Sequence, residues 1–135
     1  MGCRMITPGA FSWNELMTTD VESAKAFYTG LLGWELEDKP MPEQGMTYTL
    51  VKVEGKPVAG IMPRPAEVGD MPPLWGSYVT VADVDAAAKK AVELGGRVYK
   101  EPEDIPGVGR CCVVGDPQGA FLALITFAMP DDKAK

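Results

Sequence analysis

The stretch Asp20-Val-Glu-Ser-Ala-Lys-Ala-Phe-Tyr-Thr-Gly-Leu-Leu-Gly33 places apolar residues at helical spacing between an acidic opening and a glycine stop. Thr19 or Asp20 is the expected N-cap, because an oxygen-bearing side chain there accepts amide hydrogens that the first helical turn leaves without partners. Gly33 ends the helix by adopting a left-handed backbone at no steric cost. Upstream, the apolar and aromatic run from Ala10 to Met17 reads as a strand. Downstream, Trp34 to Glu37, Thr47 to Val53 and Val58 to Met62 read as three more, the last two joined by a tight turn at Glu54-Gly55-Lys56. The order is β-α-β-β-β.

The same order returns beyond a Pro- and Gly-bearing linker from Pro63 to Pro73. A strand at Gly76 to Val81 precedes a helix opening at Asp83 and ending at Gly95-Gly96. Strands at Arg97 to Lys100, Arg110 to Val114 and Ala120 to Phe127 follow, with Asp116-Pro-Gln-Gly119 as the last hairpin turn. Laying Asp83 on Asp20, an offset of 83 − 20 = 63 residues, also superposes Val84 on Val21, Ala87 on Ala24, Leu94 on Leu31 and Gly96 on Gly33. An α+β domain built from two β-α-β-β-β modules is therefore expected, with module one at about 8–63, the linker at about 64–73 and module two at about 74–128.

Composition narrows the partners. A 135-residue chain that is 46% hydrophobic is the size of one domain. Its formal net charge of −6 disfavours nucleic acid and anionic membranes, which bind basic surfaces. Apolar runs such as Ala120 to Met129 fall well short of the roughly 18–20 residues that span a bilayer. No basic-then-apolar leader opens the sequence, and the three cysteines, Cys3, Cys111 and Cys112, do not suggest a disulfide framework, so a cytoplasmic setting is expected. There is no histidine, which removes the commonest general base and the commonest transition-metal ligand.

The quoted segments resemble the vicinal oxygen chelate superfamily, the group of glyoxalases, bleomycin-resistance proteins and extradiol dioxygenases. The resemblance rests on Asp20-Val with Ala24, Phe27-Tyr28 and Leu31-Leu32-Gly33-Trp34, on Asp83-Val84 with Gly95-Gly96, and on Asp116-Pro-Gln-Gly119. It implies paired modules whose sheets curl into a half-open cup, and commonly a homodimer. In metal-dependent members of that family four strand side chains hold a divalent ion. By that resemblance the four positions fall on Trp13, near Gly60, near Gly76 and on Ala123, none of which offers a side-chain metal ligand. No metal or other cofactor is expected on these residues, although an oxygen-only site for magnesium, calcium or manganese stays open.

Strand alternation puts Trp13, Glu15 and Met17 on one face, Gly76, Tyr78 and Thr80 on another, and Phe121 with Ala123 on a third. If Trp13 lines the cup, Glu15 is a carboxylate among apolar groups. Burial would raise its pKa, as suits a general acid or base or an anchor for a ligand; the alternative is a structural carboxylate satisfied by backbone amides or an arginine. Tyr78 is the second catalytic candidate. The expected pocket for a small organic molecule comprises Trp13, Glu15, Met17, Tyr48 and Gly60 from the first module. Gly76, Tyr78, Thr80, Phe121 and Ala123 complete it from the second. Gly60 and Gly76 are expected to leave room for the ligand, or to mark bends in the sheet. Trp75 is expected at a rim or subunit contact, and of the adjacent cysteines one should face inward as an inert thiol. Three functions compete: a metal-independent small-molecule binder or Glu–Tyr enzyme, a divalent-metal lyase, isomerase or dioxygenase of the glyoxalase type, and a noncatalytic partner domain with a filled cup.

Overall fold

A computed structural model describes residues 7–66, 69–105 and 107–128 of the chain. Cys3, the linker residues Glu67 and Val68, and the end of the apolar run at Met129 lie outside the described residues. The chain is α+β and forms two compact units, residues 14–76 and residues 77–128 with 7–13. None of the described helices is long and apolar enough to cross a membrane.

In the first unit the strands β1 (Phe11–Thr18), β2 (Glu35–Met41), β3 (Met46–Val53) and β4 (Lys56–Pro63) accompany helix α1 (Val21–Leu32). Their order is β2-β3-β4-β1, with β1 parallel to β4 and the other neighbours antiparallel; β1 joins this unit from Asn14 onward. Asp20, not Thr19, caps α1 by accepting from the Ser23 amide at 3.0 Å. Gly33 closes it at φ 68°. Trp34 lies just before β2, which runs on to Met41 and so exceeds the expected Trp34 to Glu37. The β3–β4 turn uses two consecutive left-handed residues, Glu54 at φ 54° and Gly55 at φ 77°, whose twist matches that of paired strands. Leu16, Val51, Ala59 and Ile61 form the buried core beneath Val21, Ala24 and Tyr28 of the helix.

The second unit repeats this plan with β5 (Leu74–Thr80, entering the unit at Ser77), α2 (Val84–Glu93), β6 (Arg97–Ile105), β7 (Gly109–Gly115) and β8 (Phe121–Phe127), in the order β5-β8-β7-β6 with β5 parallel to β8. Asp83 caps α2 through the Ala86 amide at 3.1 Å. Val84, Ala87 and Ala91 pack on Cys112, Val114 and Leu124, so the 63-residue offset holds from the cap through Val21, Ala24 and Tyr28. It slips at the end of the helix. The left-handed residue is Gly95, at φ 95°, not Gly96. The Gly95 amide donates to Val92 O and the Gly96 amide to Ala91 O, the paired bonds of a Schellman stop. Gly96 is glycine for another reason: a Cβ there would overlap the Gly115 carbonyl. β6 is longer than the expected Arg97 to Lys100 because two register shifts let it continue against β7. Asp116 organises the last turn, its Oδ1 accepting from the Gln118 and Ala120 amides at 2.9 and 3.0 Å.

Candidate functional site

Gly60 sits on β4 between two neighbours, opposite Leu50 of β3 and Glu15 of β1. Adjacent strands lie about 4.8 Å apart, so a side chain reaching from β3 to β1 has to cross nearly 10 Å of β4 backbone. Tyr48 does so. Its ring lies over Gly60, in the space that a Cβ would occupy, and its hydroxyl donates to Glu15 Oε1 at 2.8 Å. Leu16 and Ile61, next in sequence to Glu15 and Gly60, point the other way into the core under α1. Glu15 and Tyr48 are both half-buried on the sheet face away from the helix. The sheet irregularity lies between Pro57 and Ala59, so Gly60 itself stays in register. The expectation that Gly60 leaves room for a ligand is thus corrected: its missing side chain makes way for Tyr48.

That arrangement bears on the divalent ion that the resemblance implies. The indole of Trp13 can only donate a hydrogen bond, Gly60 and Gly76 have no side chain, and Ala123 has a methyl group. At Gly60 the space for a ligating side chain is taken by the Tyr48 ring. Among the described residues no group of three or more His, Cys, Asp or Glu side chains gathers as for a metal. These residues do not fit the group.

Of the remaining nominated residues, Met17 is half-buried on the Glu15 side of β1, and Trp13 is half-buried earlier on the same strand. Gly76 is open: a Cβ there would meet nothing nearer than Glu15 O at 4.0 Å. In the second unit Tyr78 stands opposite Ala123, and Thr80 opposite Ile125. Thr80 is buried at 4% exposure, whereas Phe121 is 46% exposed and meets Tyr99 edge-on with ring centroids 4.6 Å apart. Glu15 is therefore partnered by Tyr48, while Tyr78 belongs to the other unit. Tyr99 is an aromatic that sequence reasoning missed. Its signal was its alternation with Val98, which packs toward α2 and so directs Tyr99 to the opposite face.

An open depression of about 280 Å³ lies on the helix side of the first unit, bordered by Leu16, Thr18, Asp20, Ala24, Tyr28 and Pro73 among others. It is on the wrong side of the sheet for Glu15. Beside it Tyr28, Trp34 and Trp75 form an aromatic cluster in which the Trp75 indole donates to Tyr28 Oη at 3.0 Å, giving Trp75 a partner within its own unit. Cys111 and Cys112 are both buried, on opposite faces of β7, where one buried thiol was expected. Burial pushes the Cys112 thiol up to about 11, which keeps it protonated and unreactive at neutral pH. Elsewhere Arg110 clamps Asp85 and Asp104, and the Arg110 guanidinium holds the Asp85 carboxyl below its usual range. Asp38 is held low by the Thr49 hydroxyl and then by Lys25.

The family model described as the Glyoxalase/Bleomycin resistance protein/Dioxygenase superfamily matches residues 10–124. A Mycobacterium tuberculosis protein named "Putative glyoxylase CFP32" is 42% identical over 117 residues, which are 86% of this chain and 45% of that protein. The anthracycline biosynthesis protein DnrV of Streptomyces peucetius is 36% identical over 129 residues, covering 87% of this chain and 46% of that protein. The chain thus spans slightly under half the length of these relatives. Among solved structures, methylmalonyl-CoA epimerase from Mycobacterium tuberculosis matches with a TM-score of 0.64 at 20% identity, over 93% of this chain and 91% of that one. Identity at that level carries the fold alone.

Proposed function

Because the chain belongs to the Glyoxalase/Bleomycin resistance protein/Dioxygenase superfamily, we propose that it binds a small organic molecule without a divalent metal, with Glu15 and Tyr48 as the polar anchor. One observation carries this reading: Tyr48 fills the space over Gly60 and donates to Glu15. A carboxylate held by a hydroxyl can accept a hydrogen bond from a ligand hydroxyl or amide, and it can take a proton from a carbon next to a carbonyl. In a sequestering protein the pair orients the ligand. In an enzyme Glu15 is the proton acceptor, and Tyr48 stays as the donor that fixes it. Nothing in either role requires histidine.

Within the second unit, taken by itself, the Tyr78 hydroxyl and the apolar Phe121 ring are further proposed ligand contacts, and Thr80 contributes by packing. The two modules make one domain at about 8–63 and 74–128, in a cytoplasmic protein that pairs as a homodimer; a single monomeric species in sedimentation at micromolar concentration would remove the dimer.

The decisive experiment uses protein purified without a metal-affinity tag, incubated with Mn, Ni, Zn or Mg, desalted, and analysed by inductively coupled plasma mass spectrometry. The expected result is no stoichiometric metal in the wild type, together with thermal stabilisation by members of a small-molecule panel that is reduced in Glu15→Gln and Tyr48→Phe. Stoichiometric metal that disappears in Glu15→Gln would overturn the metal-free reading.

A further inference from the structure

Tyr99 lies on β6 where the register shifts, and its ring rests across Gly115 of β7, where a Cβ would overlap it. Phe121 stands opposite Gly115 on β8 and meets the Tyr99 ring at 68°. Tyr99 and Phe121 are 45% and 46% exposed as residues. Their rings form a corner, one wall braced against glycine backbone, on side chains that stay partly open.

Along β8 on this face, exposure falls from Phe121 through Ala123 to Ile125. In the next row inward, Ala123 lies between Tyr78 and Val113, and all three are half-buried. In the row after that, Ile125 lies between Thr80 and Cys111, and all three are buried. A methyl side chain between a tyrosine and a valine makes a low point in the floor, closed at the Ile125 end and open at the ring corner. No side chain named in the three rows carries a charge. Aromatic rings pair best with other rings, edge-on or offset, at centroid separations of about 4.5–7 Å. A strand glycine covered by a ring can be a purely structural device that stabilises the sheet. Such a device requires only that Gly115 be covered, and an aliphatic side chain would also do that. It does not require a second ring set across the first with both side chains partly open.

We propose that Tyr99 and Phe121 form an aromatic subsite that selects a flat, uncharged aromatic ligand, stacked at the ring corner and lying over Ala123. This deepens the proposed small-molecule binding and rests on it. The similarity to a protein named for anthracycline biosynthesis is in keeping with such a ligand class.

The test is isothermal titration calorimetry of the 135-residue chain with 1,4-dihydroxyanthraquinone, a neutral planar probe, alongside a saturated cyclic ketone of similar carbon number. The wild type is expected to bind the planar probe saturably and the saturated ketone weakly or not at all. Tyr99→Leu, which still covers Gly115, should weaken the planar probe about tenfold, the upper end of a single aromatic contact, while Tyr99→Phe stays within about twofold. Circular dichroism establishes that each variant is folded, and Phe121→Leu serves as the independent variant if Tyr99→Leu is not. No saturable binding of the planar probe by the wild type overturns the subsite, as does equal binding by wild type, Tyr99→Leu and Phe121→Leu. If the probe binds and only Glu15→Gln weakens it, the subsite fails and the Glu15–Tyr48 reading survives. If Tyr99→Leu weakens it and Glu15→Gln does not, the Glu15–Tyr48 anchor fails and the subsite survives.

Discussion

Replacing Gly60 with alanine would put a methyl group inside the volume of the Tyr48 ring, overlapping its hydroxyl oxygen and Cζ. The backbone at Gly60 is ordinary, with no positive φ, so any cost arises from the ring. Carbon atoms rest about 3.5–4.0 Å apart, and an overlap this deep cannot be relieved by small shifts. Tyr48 has to swing away and give up its bond to Glu15. A hydrogen bond to a charged group is worth roughly 1.5–3 kcal/mol, and loss of the ring's cover on β4 adds to this, so Gly60→Ala should destabilise by about 3 kcal/mol. Tyr48→Phe keeps the ring and loses only the bond, at about 1.5–2 kcal/mol. The informative comparison is Gly60→Ala in a Tyr48→Ala background. With the ring gone the methyl group meets no obstacle, and alanine in a strand is better than glycine by about 0.5–1 kcal/mol, so the second substitution should be neutral or mildly stabilising. Urea unfolding followed by tryptophan fluorescence would measure the four proteins of this cycle. A coupling of at least about 2 kcal/mol is expected, and additivity within about 0.5 kcal/mol would refute the placement of Tyr48 over Gly60.

Other outcomes follow from the same structure. Asp38 has a lowered pKa in the folded state, so the stability it contributes is present above the unfolded carboxyl value near 3.9 and is lost as pH falls through the lower folded value. Urea midpoints measured from about pH 5 down to 2 should therefore fall less steeply for Asp38→Asn than for the wild type, and parallel slopes would count against the Thr49–Lys25 network. Asp20→Ala and Asp83→Ala each remove an N-cap and should each cost about 1 kcal/mol, with Asp20→Ser recovering most of the loss; equal stability of wild type and Asp20→Ala would contradict the cap geometry. In a Cys3→Ser background neither Cys111 nor Cys112 should react with a thiol reagent at pH 8 until denaturant is added, because both are buried and the Cys112 thiol is pushed up to about 11. Rapid labelling of the native protein would show that β7 opens.

Local chemistry written along the chain was enough to read the α+β class, the repeated β-α-β-β-β order, the Asp83 cap, the first cap to within Thr19 or Asp20, and the Asp116 turn. Each depends on residues within a few positions of one another, as Asp20 does on Ser23 and Asp116 on Gln118. Where two close residues of the same kind competed, sequence alone could not separate them. Gly95 and Gly96 are equally permissive, and only the carbonyl of Gly115 decides which one takes the left-handed turn and which one is there to let a strand approach. The partner of Glu15 was beyond sequence reasoning for a related reason. Tyr48 lies 33 residues away, and it reaches Glu15 only because β4 separates β3 from β1 and places a glycine opposite Glu15. Alternation assigns a side chain to a face. Strand order and register decide what it meets there, and these come from the packing of whole elements rather than from spacing along the chain.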